Sequence, residues 1–347
     1  MNIQERIDAF ALLGEVLRTS LSGKEDKKAS GLLEMINTQY ISNPWFTPEN
    51  VTAAINAIAC ELTYENLFHW TDPYSQLQIE TKPVTAGIIM AGNIPLAGFY
   101  DFLSVLISGN NLVAKTSSKD PQLIVKIGEI LCNIESGFRE KIEFTDGQLN
   151  NFDLVIATGS NNSSRYFEQY FGRYPNIIRK NRNSIAIIEG NETVGELENL
   201  GSDIFQYFGL GCRSVSKIFI PEEYDIKSLV SKWEPFAGLI NNVKYANNYD
   251  FSKAVYLVNK ENFLDTGYLL LIEEKGLSSP VAVLYFEYYA SVSALQHEIE
   301  SQKDQIQCVV GHSHVPFGKA QSPHLWDYAD GIDTLEFLSK KNKAGIL

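Results

Sequence analysis

Cys212 stands in the run Gly209-Leu210-Gly211-Cys212-Arg213-Ser214, between a helical pattern near residues 196–208 and a strand pattern over 215–220. Two glycines ahead of a thiol permit close backbone approach and unusual dihedrals, and a loop at the end of an element is where reactive groups are held. A thiolate there would be a nucleophile. The local sequence leaves a second reading open, an ordinary small residue in a turn. The other three cysteines lie inside regular patterns: Cys60 in Ala59-Cys60-Glu61, Cys132 in Leu131-Cys132-Asn133 and Cys308 in Gln307-Cys308-Val309. They read as small core residues. With no CxxC spacing among the four, neither a disulfide framework nor a structural zinc site is expected.

Three glycine-bearing turns come next. Gly209-x-Gly211 precedes a strand, so it is not a dinucleotide fingerprint. Gly159-Ser160 lies between a strand and a helix, where it is either a phosphate cradle or a plain turn. Asn93 in Gly92-Asn93-Ile94-Pro95 either caps a helix starting at Pro95 or aims its amide at a developing oxyanion. His312-x-His314 and His324 lack a third partner at ligand spacing, and no metal is expected. Arg173, Arg179, Lys180 and Arg182 form a basic cluster that is either a solvated face or a phosphate patch.

These residues need elements to position them. Ile3, Ile7, Phe10, Leu13 and Leu17 recur at helical spacing, and Thr47-Pro48 reads as a cap with proline at the first helical position, so the first 70 residues are expected to be helical. From residue 84 the pattern alternates: strands at 84–91, 112–115 and 152–157, with helices at 95–108, from Asp120-Pro121 to about 134, and at 164–171. Such alternation predicts a parallel doubly wound sheet with its site at the strand carboxyl ends. Further strands are expected at 184–188, 215–220, 268–272, 281–286 and 306–310, with helices at 196–208 and 291–300, and a domain boundary near 183.

The chain has 347 residues, 44% of them hydrophobic, enough for a large core and two domains. Its formal charge of −13 argues against a nucleic-acid partner. No apolar run reaches the roughly 18 residues a membrane span needs. Residues 1–17 carry Glu5, Asp8 and Glu15 rather than a basic start and an apolar stretch, so a cytoplasmic location is expected.

Taken in order, these motifs resemble the aldehyde dehydrogenase superfamily, in particular its fatty acyl-CoA reductase branch of the LuxC type. The resemblance rests on Asn93-Ile94-Pro95, on the strand Asn111–Lys115, on Asp153–Ser160 with its Thr-Gly-Ser turn, and on Gly209–Cys212. It continues in Glu273-Glu274 with Pro280-Val281, and in Pro316-Phe317-Gly318. It implies an aldehyde-dehydrogenase-like α/β fold, a Rossmann-type cofactor domain plus an α/β catalytic domain. The implied division is 1–183 for the helical N-terminus and cofactor domain and 184–315 for the catalytic domain. Residues 316–347 would form a segment returning to the active site or an oligomer contact.

The resemblance also implies roles. Cys212 would be the nucleophile, with Asn93 and the Cys212 amide as oxyanion donors. Lys115 would contact the adenosine ribose or its phosphate, Thr158-Gly159-Ser160 the pyrophosphate, and Glu273 or Glu274 the nicotinamide ribose. Hydrolytic members carry a water-activating glutamate where this chain has Ile177-Ile178-Arg179-Lys180, which favours transfer to another thiol over hydrolysis. Ser118 falls where NAD-specific members often place a glutamate, which favours NADPH over NADH. The expected activity is NADPH-dependent reduction of an acyl-CoA, fatty by resemblance, to the aldehyde through a Cys212 thioacyl enzyme. An acyl-phosphate reductase and a non-catalytic scaffold are the alternatives, and a homo-oligomer or an acyl-transferring partner enzyme is the partner implied.

Overall fold

Asn2 opens the first helix: its side chain accepts from the Glu5 amide while Glu5 reaches back to the Asn2 amide. That helix, α1 (Ile3–Leu21), leads into α2 (Leu32–Ser42), α3 (Pro48–Glu61) and α4 (Tyr64–Thr71). Thr47 caps α3 through the Asn50 amide and Pro48 takes its first position, as the dipeptide predicts. Ile7, Phe10, Leu13 and Leu17 are all buried, the one face their spacing defines. The computed structural model describes residues 1–24, 26–79 and 82–341. The chain forms two units, one of residues 1–181 with 324–347 and one of residues 182–323.

In the first unit, β1 (Thr85–Ile89), α5 (Phe99–Ile107), β2 (Asn111–Lys115), α6 (Leu123–Ile134), β3 (Ile142–Thr145), β4 (Leu154–Thr158), α7 (Asn161–Phe171) and β5 (Asn176–Arg179) follow in sequence. The strands pair in parallel in the order β3-β2-β1-β4-β5. The chain leaves β1 toward β2 and β3, then returns to β4 on the other side of β1. That reversal opens a crevice at the carboxyl ends of β1 and β4. The edge strands β3 and β5 are absent from the sequence reading because each is four residues long and only partly buried.

In the second unit, β6 (Asn183–Ile187), α8 (Val194–Phe205), β7 (Val215–Pro221), α9 (Ile226–Ser231), α10 (Val243–Asn259), β8 (Phe263–Asp265), β9 (Leu270–Glu273), β10 (Val283–Tyr289), α11 (Val292–Ser301) and β11 (Ile306–Val310) follow. The sheet order is β11-β6-β7-β10-β9-β8, parallel except for the β8–β9 pair. The expected segment 316–347 is divided, because residues from 324 onward belong to the first unit. There His324 Nδ1 lies 3.1 Å from Glu61, Trp70 Nε1 donates to the Tyr328 hydroxyl at 2.7 Å, and Arg179 donates to Thr334 at 2.8 Å at the head of α12 (Thr334–Lys341).

No helix among the described residues is long and apolar enough to cross a membrane.

Candidate active site

The Cys212 turn begins with backbone strain. After α8 ends at Phe205, Tyr207 (φ 55°, ψ 27°), Phe208 (φ 58°, ψ 27°) and Gly209 (φ 72°) adopt left-handed conformations in succession. Left-handed geometry costs an L-residue roughly 1–2 kcal/mol, so two aromatics in it must be held there by their surroundings. Both rings are buried, and Phe208 packs 5.9 Å from the Tyr245 ring on α10. Burial pushes the Tyr207 phenol up to about 12.

The chain then makes a four-residue turn. The Ser214 amide donates to the Gly211 carbonyl at 3.0 Å, and the Gly211 amide donates to Ser214 Oγ at 3.2 Å. Cys212 and Arg213 are the central residues, and the Cys212 side chain is exposed to solvent. The Ser184 hydroxyl of β6 donates to the Cys212 carbonyl at 2.9 Å.

The loop that continues from Pro316-Phe317-Gly318 supports this turn through Ala320 and Gln321. Arg213 Nε donates to the Ala320 carbonyl at 2.5 Å, and Gln321 Nε2 to Ser214 Oγ at 3.1 Å. That loop is itself fixed by Asp203 of α8, whose carboxylate accepts from the Gly318 amide at 2.6 Å and the Ala320 amide at 2.9 Å. Burial pushes the Asp203 carboxyl up to about 6, against the two amides and the nearby Arg213 that lower it. Asp203 was no part of the sequence reading, since its partners lie more than a hundred residues away.

Glu273 and Glu274 stand elsewhere in this sheet. Glu273 ends β9 level with Phe286 of β10, which is level with Ile218 of β7, whereas Cys212 precedes the start of β7 at Val215. The carboxylates are displaced from Cys212 along the strand direction. Glu274 instead accepts from the amides of Lys275 (2.7 Å) and Gly276 (3.2 Å). The loop after it runs back beside β7: Lys217 Nζ donates to the Lys275 carbonyl at 2.9 Å and Ser216 to the Leu277 carbonyl at 2.7 Å. The part of this loop nearest the Cys212 end of β7 is therefore its Leu277 side.

In the first unit, Asn93, Lys115 and Thr158-Gly159-Ser160 gather at the carboxyl ends of the adjacent strands β1, β2 and β4. Asn93 is exposed, and it does not cap α5. Residues 95–98 form a turn with Leu96 at φ 58°, and α5 begins only at Phe99. The turn is fixed by Asp120, which accepts from the Leu96 amide at 2.9 Å and, at the head of α6, from the Leu123 amide at 3.3 Å. Burial pushes the Asp120 carboxyl up to about 6.

Ser160 caps α7 by accepting from the Ser163 amide at 3.3 Å. At Gly159 a Cβ would stand 2.8 Å from the Phe167 ring and 2.9 Å from Ser163 Cβ, so a larger residue would have to displace the ring and the first turn of α7. Lys115 Nζ donates to the carbonyls of Asp146 (2.6 Å) and Gly147 (2.5 Å). Ser118 is exposed in the turn that follows β2.

A cleft of about 730 Å³ opens between α7 and the loop after β3, and Lys115, Phe152, Tyr166, Tyr170 and Arg173 are among its lining residues. Ser118 is not among them. The basic cluster does not form one face. Arg179 is buried in an ion pair with Asp101 of α5, Lys180 pairs with Glu168 at 2.9 Å, and only Arg173 reaches the cleft. Among the other cysteines, Cys308 is buried and Cys132 partly so, but Cys60 is exposed on the outer side of α3. Among the described residues no three His, Cys, Asp or Glu side chains gather as a metal site, and His312 Nε2 lies 3.2 Å from Glu196.

No protein-family model matches the chain. The long-chain acyl-protein thioester reductases of Aliivibrio fischeri and Photorhabdus laumondii subsp. laumondii are each 21% identical to it, over 215 and 210 residues. The matches cover 56% and 55% of this chain but 44% and 43% of those proteins, less than half their length. Among solved structures, the NAD+ complex of an aldehyde dehydrogenase from Bacillus cereus superposes with a TM-score of 0.61 at 14% identity, over 89% of this chain and 72% of that one. The NADP complex of the NADP-dependent glyceraldehyde-3-phosphate dehydrogenase from Bacillus halodurans gives 0.59 at 14%, over 89% and 74%. Proline utilization A gives 0.66 at 13%, over 90% of this chain and 36% of that one. The fold is that of the aldehyde dehydrogenases, and the resemblance seen in the motifs extends to both kinds of relative.

Proposed function

We propose that the chain reduces a thioester-activated acyl group to the aldehyde, with Cys212 as the nucleophile and a nicotinamide cofactor as the reductant. The observation that carries this reading is the Cys212 turn itself. An exposed thiol sits at the centre of a turn whose carbonyl, flanking side chains and strained approach are all fixed by buried partners. Such fixation favours attack from one geometry. The thiolate forms a C–S bond to the acyl carbon, the donor's C–S bond breaks, and the departing thiolate takes up a proton. Asn93 is assigned the oxyanion role on the motif resemblance alone.

The first unit's residues fit a dinucleotide. The cleft offers Lys115 and aromatic rings and no carboxylate, and the Ser160 end of α7 presents backbone amides to a phosphate. Lys115 and Thr158-Gly159-Ser160 would hold the cofactor, read here as NADPH with NADH the less favoured form. When bound, it supplies the hydride. Strand β5 occupies the stretch where hydrolytic enzymes carry their glutamate, and its Arg179 is buried on Asp101. That strand offers no carboxylate to activate water, which supports reduction over hydrolysis.

The names of the curated relatives support a long chain and a thioester donor, which we take to be an acyl-CoA. Intact mass spectrometry after incubation with acyl-CoAs of graded chain length tests the reading. One acyl adduct per chain is expected, mapping to Cys212 and absent from Cys212→Ser. Adducts that persist in Cys212→Ser, or form only from acyl phosphates, would sink it.

A further inference from the structure

The cleft beside α7 has a lining that is unusual for this chain. The protein carries a formal charge of −13, yet the charged side chains of this lining are Lys115 and Arg173, with no aspartate or glutamate among them. Its α7 wall is aromatic, with Tyr166 and Tyr170 one helical turn apart and 63% and 66% exposed. Large rings at that exposure lose nothing by leaving solvent for a flat ligand, and base stacking on an aromatic is tolerant of sequence and geometry. Arg173 sits just beyond the end of α7. Its guanidinium stacks 5.1 Å from the Tyr174 ring, and Nη2 donates to the Tyr174 hydroxyl at 3.3 Å. A guanidinium braced in that way presents its remaining N–H groups as a planar fork suited to phosphate oxygens.

Resting on the reading of the first unit as a nucleotide-binding body, we propose that Arg173, with Lys115, makes this cleft select an adenosine that carries an additional ribose phosphate, the base lying against Tyr166 and Tyr170. This adds a residue of the cleft lining, Arg173, to Ser118 as a basis for phosphate selectivity. The same chemistry occurs in two ligands of the proposed reaction: the 2′-phosphate of a phosphorylated nicotinamide cofactor and the 3′-phosphate of an acyl-CoA.

Titration calorimetry of the whole chain with 5′-AMP, 2′,5′-ADP and 3′,5′-ADP tests it without any turnover. At least one bisphosphate is expected to bind about tenfold more tightly than 5′-AMP, the step one charge-assisted contact supplies. Preference for the 2′ isomer assigns the phosphate to the cofactor, and preference for the 3′ isomer assigns it to the acyl donor. Arg173→Ala should erase the preference and leave 5′-AMP binding as it was, whereas Tyr170→Ala should weaken all three ligands by a similar factor. Equal binding of the three by the unaltered chain overturns the proposal, as does an Arg173→Ala variant that weakens them all alike. If those ligands, NADH and NADPH all fail to bind, the cofactor reading falls too. If they bind without regard to the phosphate, only the role of Arg173 falls.

Discussion

Each unit holds its candidate reacting turn with a buried aspartate that accepts two backbone amides, but the two aspartates act at different removes. Asp120 bonds directly to the turn after Asn93, gripping Leu96 in its left-handed conformation, and ties the same turn to the first amides of α6. Asp203 grips a second loop instead, and feels the Cys212 turn through the charge of Arg213. It fixes Gly318 and Ala320, and the Ala320 carbonyl then receives Arg213. One device is a clasp and the other a relay. A relay spreads one side chain's loss over two loops, while a clasp confines it to one.

The comparison breaks if the two losses look alike. Asp203→Ala and Asp120→Ala each leave two amides without their acceptor, at about 1–3 kcal/mol for each one buried. Both variants should lose several kcal/mol of stability. Amide hydrogen exchange should tell them apart. In Asp203→Ala, protection should fall in both 316–321 and 207–216, while in Asp120→Ala it should fall in 93–98 and at the head of α6 alone. Unchanged protection of 207–216 in Asp203→Ala would reduce the relay to a local contact.

Glycine sharpens the same contrast at a smaller scale. Gly209 lies at φ 72°, the third left-handed residue in a row, so Gly209→Ala should cost roughly 1–2 kcal/mol whatever room surrounds it. Gly159 has no left-handed φ, and its constraint is steric: an added Cβ would stand 2.8 Å from the Phe167 ring, which can swing aside, and 2.9 Å from Ser163 Cβ, which a small shift of the first turn of α7 relieves. Gly159→Ala should therefore cost less stability than Gly209→Ala, read by thermal unfolding. The reverse order would mean that the strained approach to Cys212 is softer than its dihedrals indicate.

The division between what the residues announced and what they hid follows the range of the interactions. The Thr47-Pro48 cap, the strands at β1, β2 and β4 and the turn at Gly159 are set by neighbours a few positions away, and all were legible. The start of α5 was not, because the Leu96 conformation that delays it depends on Asp120, 24 residues on. Arg179 looked like part of a solvated cluster because its partner Asp101 is 78 residues distant. The polar, weakly amphipathic α10 gave no helical face to read. Of the site, the Gly-x-Gly-Cys run marked the nucleophile candidate, but the left-handed Tyr207 and Phe208 carry no sequence mark, since aromatics normally avoid that conformation. Glu273 and Glu274 matched a motif whose loop has a different length here, and strand register places them away from Cys212.

The smallest effect concerns protons. Asp120 and Asp203 are both pushed up to about 6 by burial, above the roughly 3.9 of an unfolded aspartate. Between those values the folded chain binds more protons than the unfolded one, so the contribution of each carboxyl to stability falls as pH rises from about 4 to 6 and stays at its lower level above that window. An asparagine in either place removes this slope. The stability deficit of Asp203→Asn and of Asp120→Asn against the unaltered chain should thus be larger at pH 4.5 than at pH 7.5, measured by thermal unfolding at matched ionic strength. The relay adds one asymmetry. Arg213 sits near enough to Asp203 to favour its charged form, and nothing equivalent lowers Asp120. Removing that charge with Arg213→Gln should steepen the Asp203 slope and leave the Asp120 slope unchanged. A deficit that grows with pH in either asparagine variant would show that the carboxyl is ionised in the fold well below pH 6, held there by its two amides rather than shifted by burial.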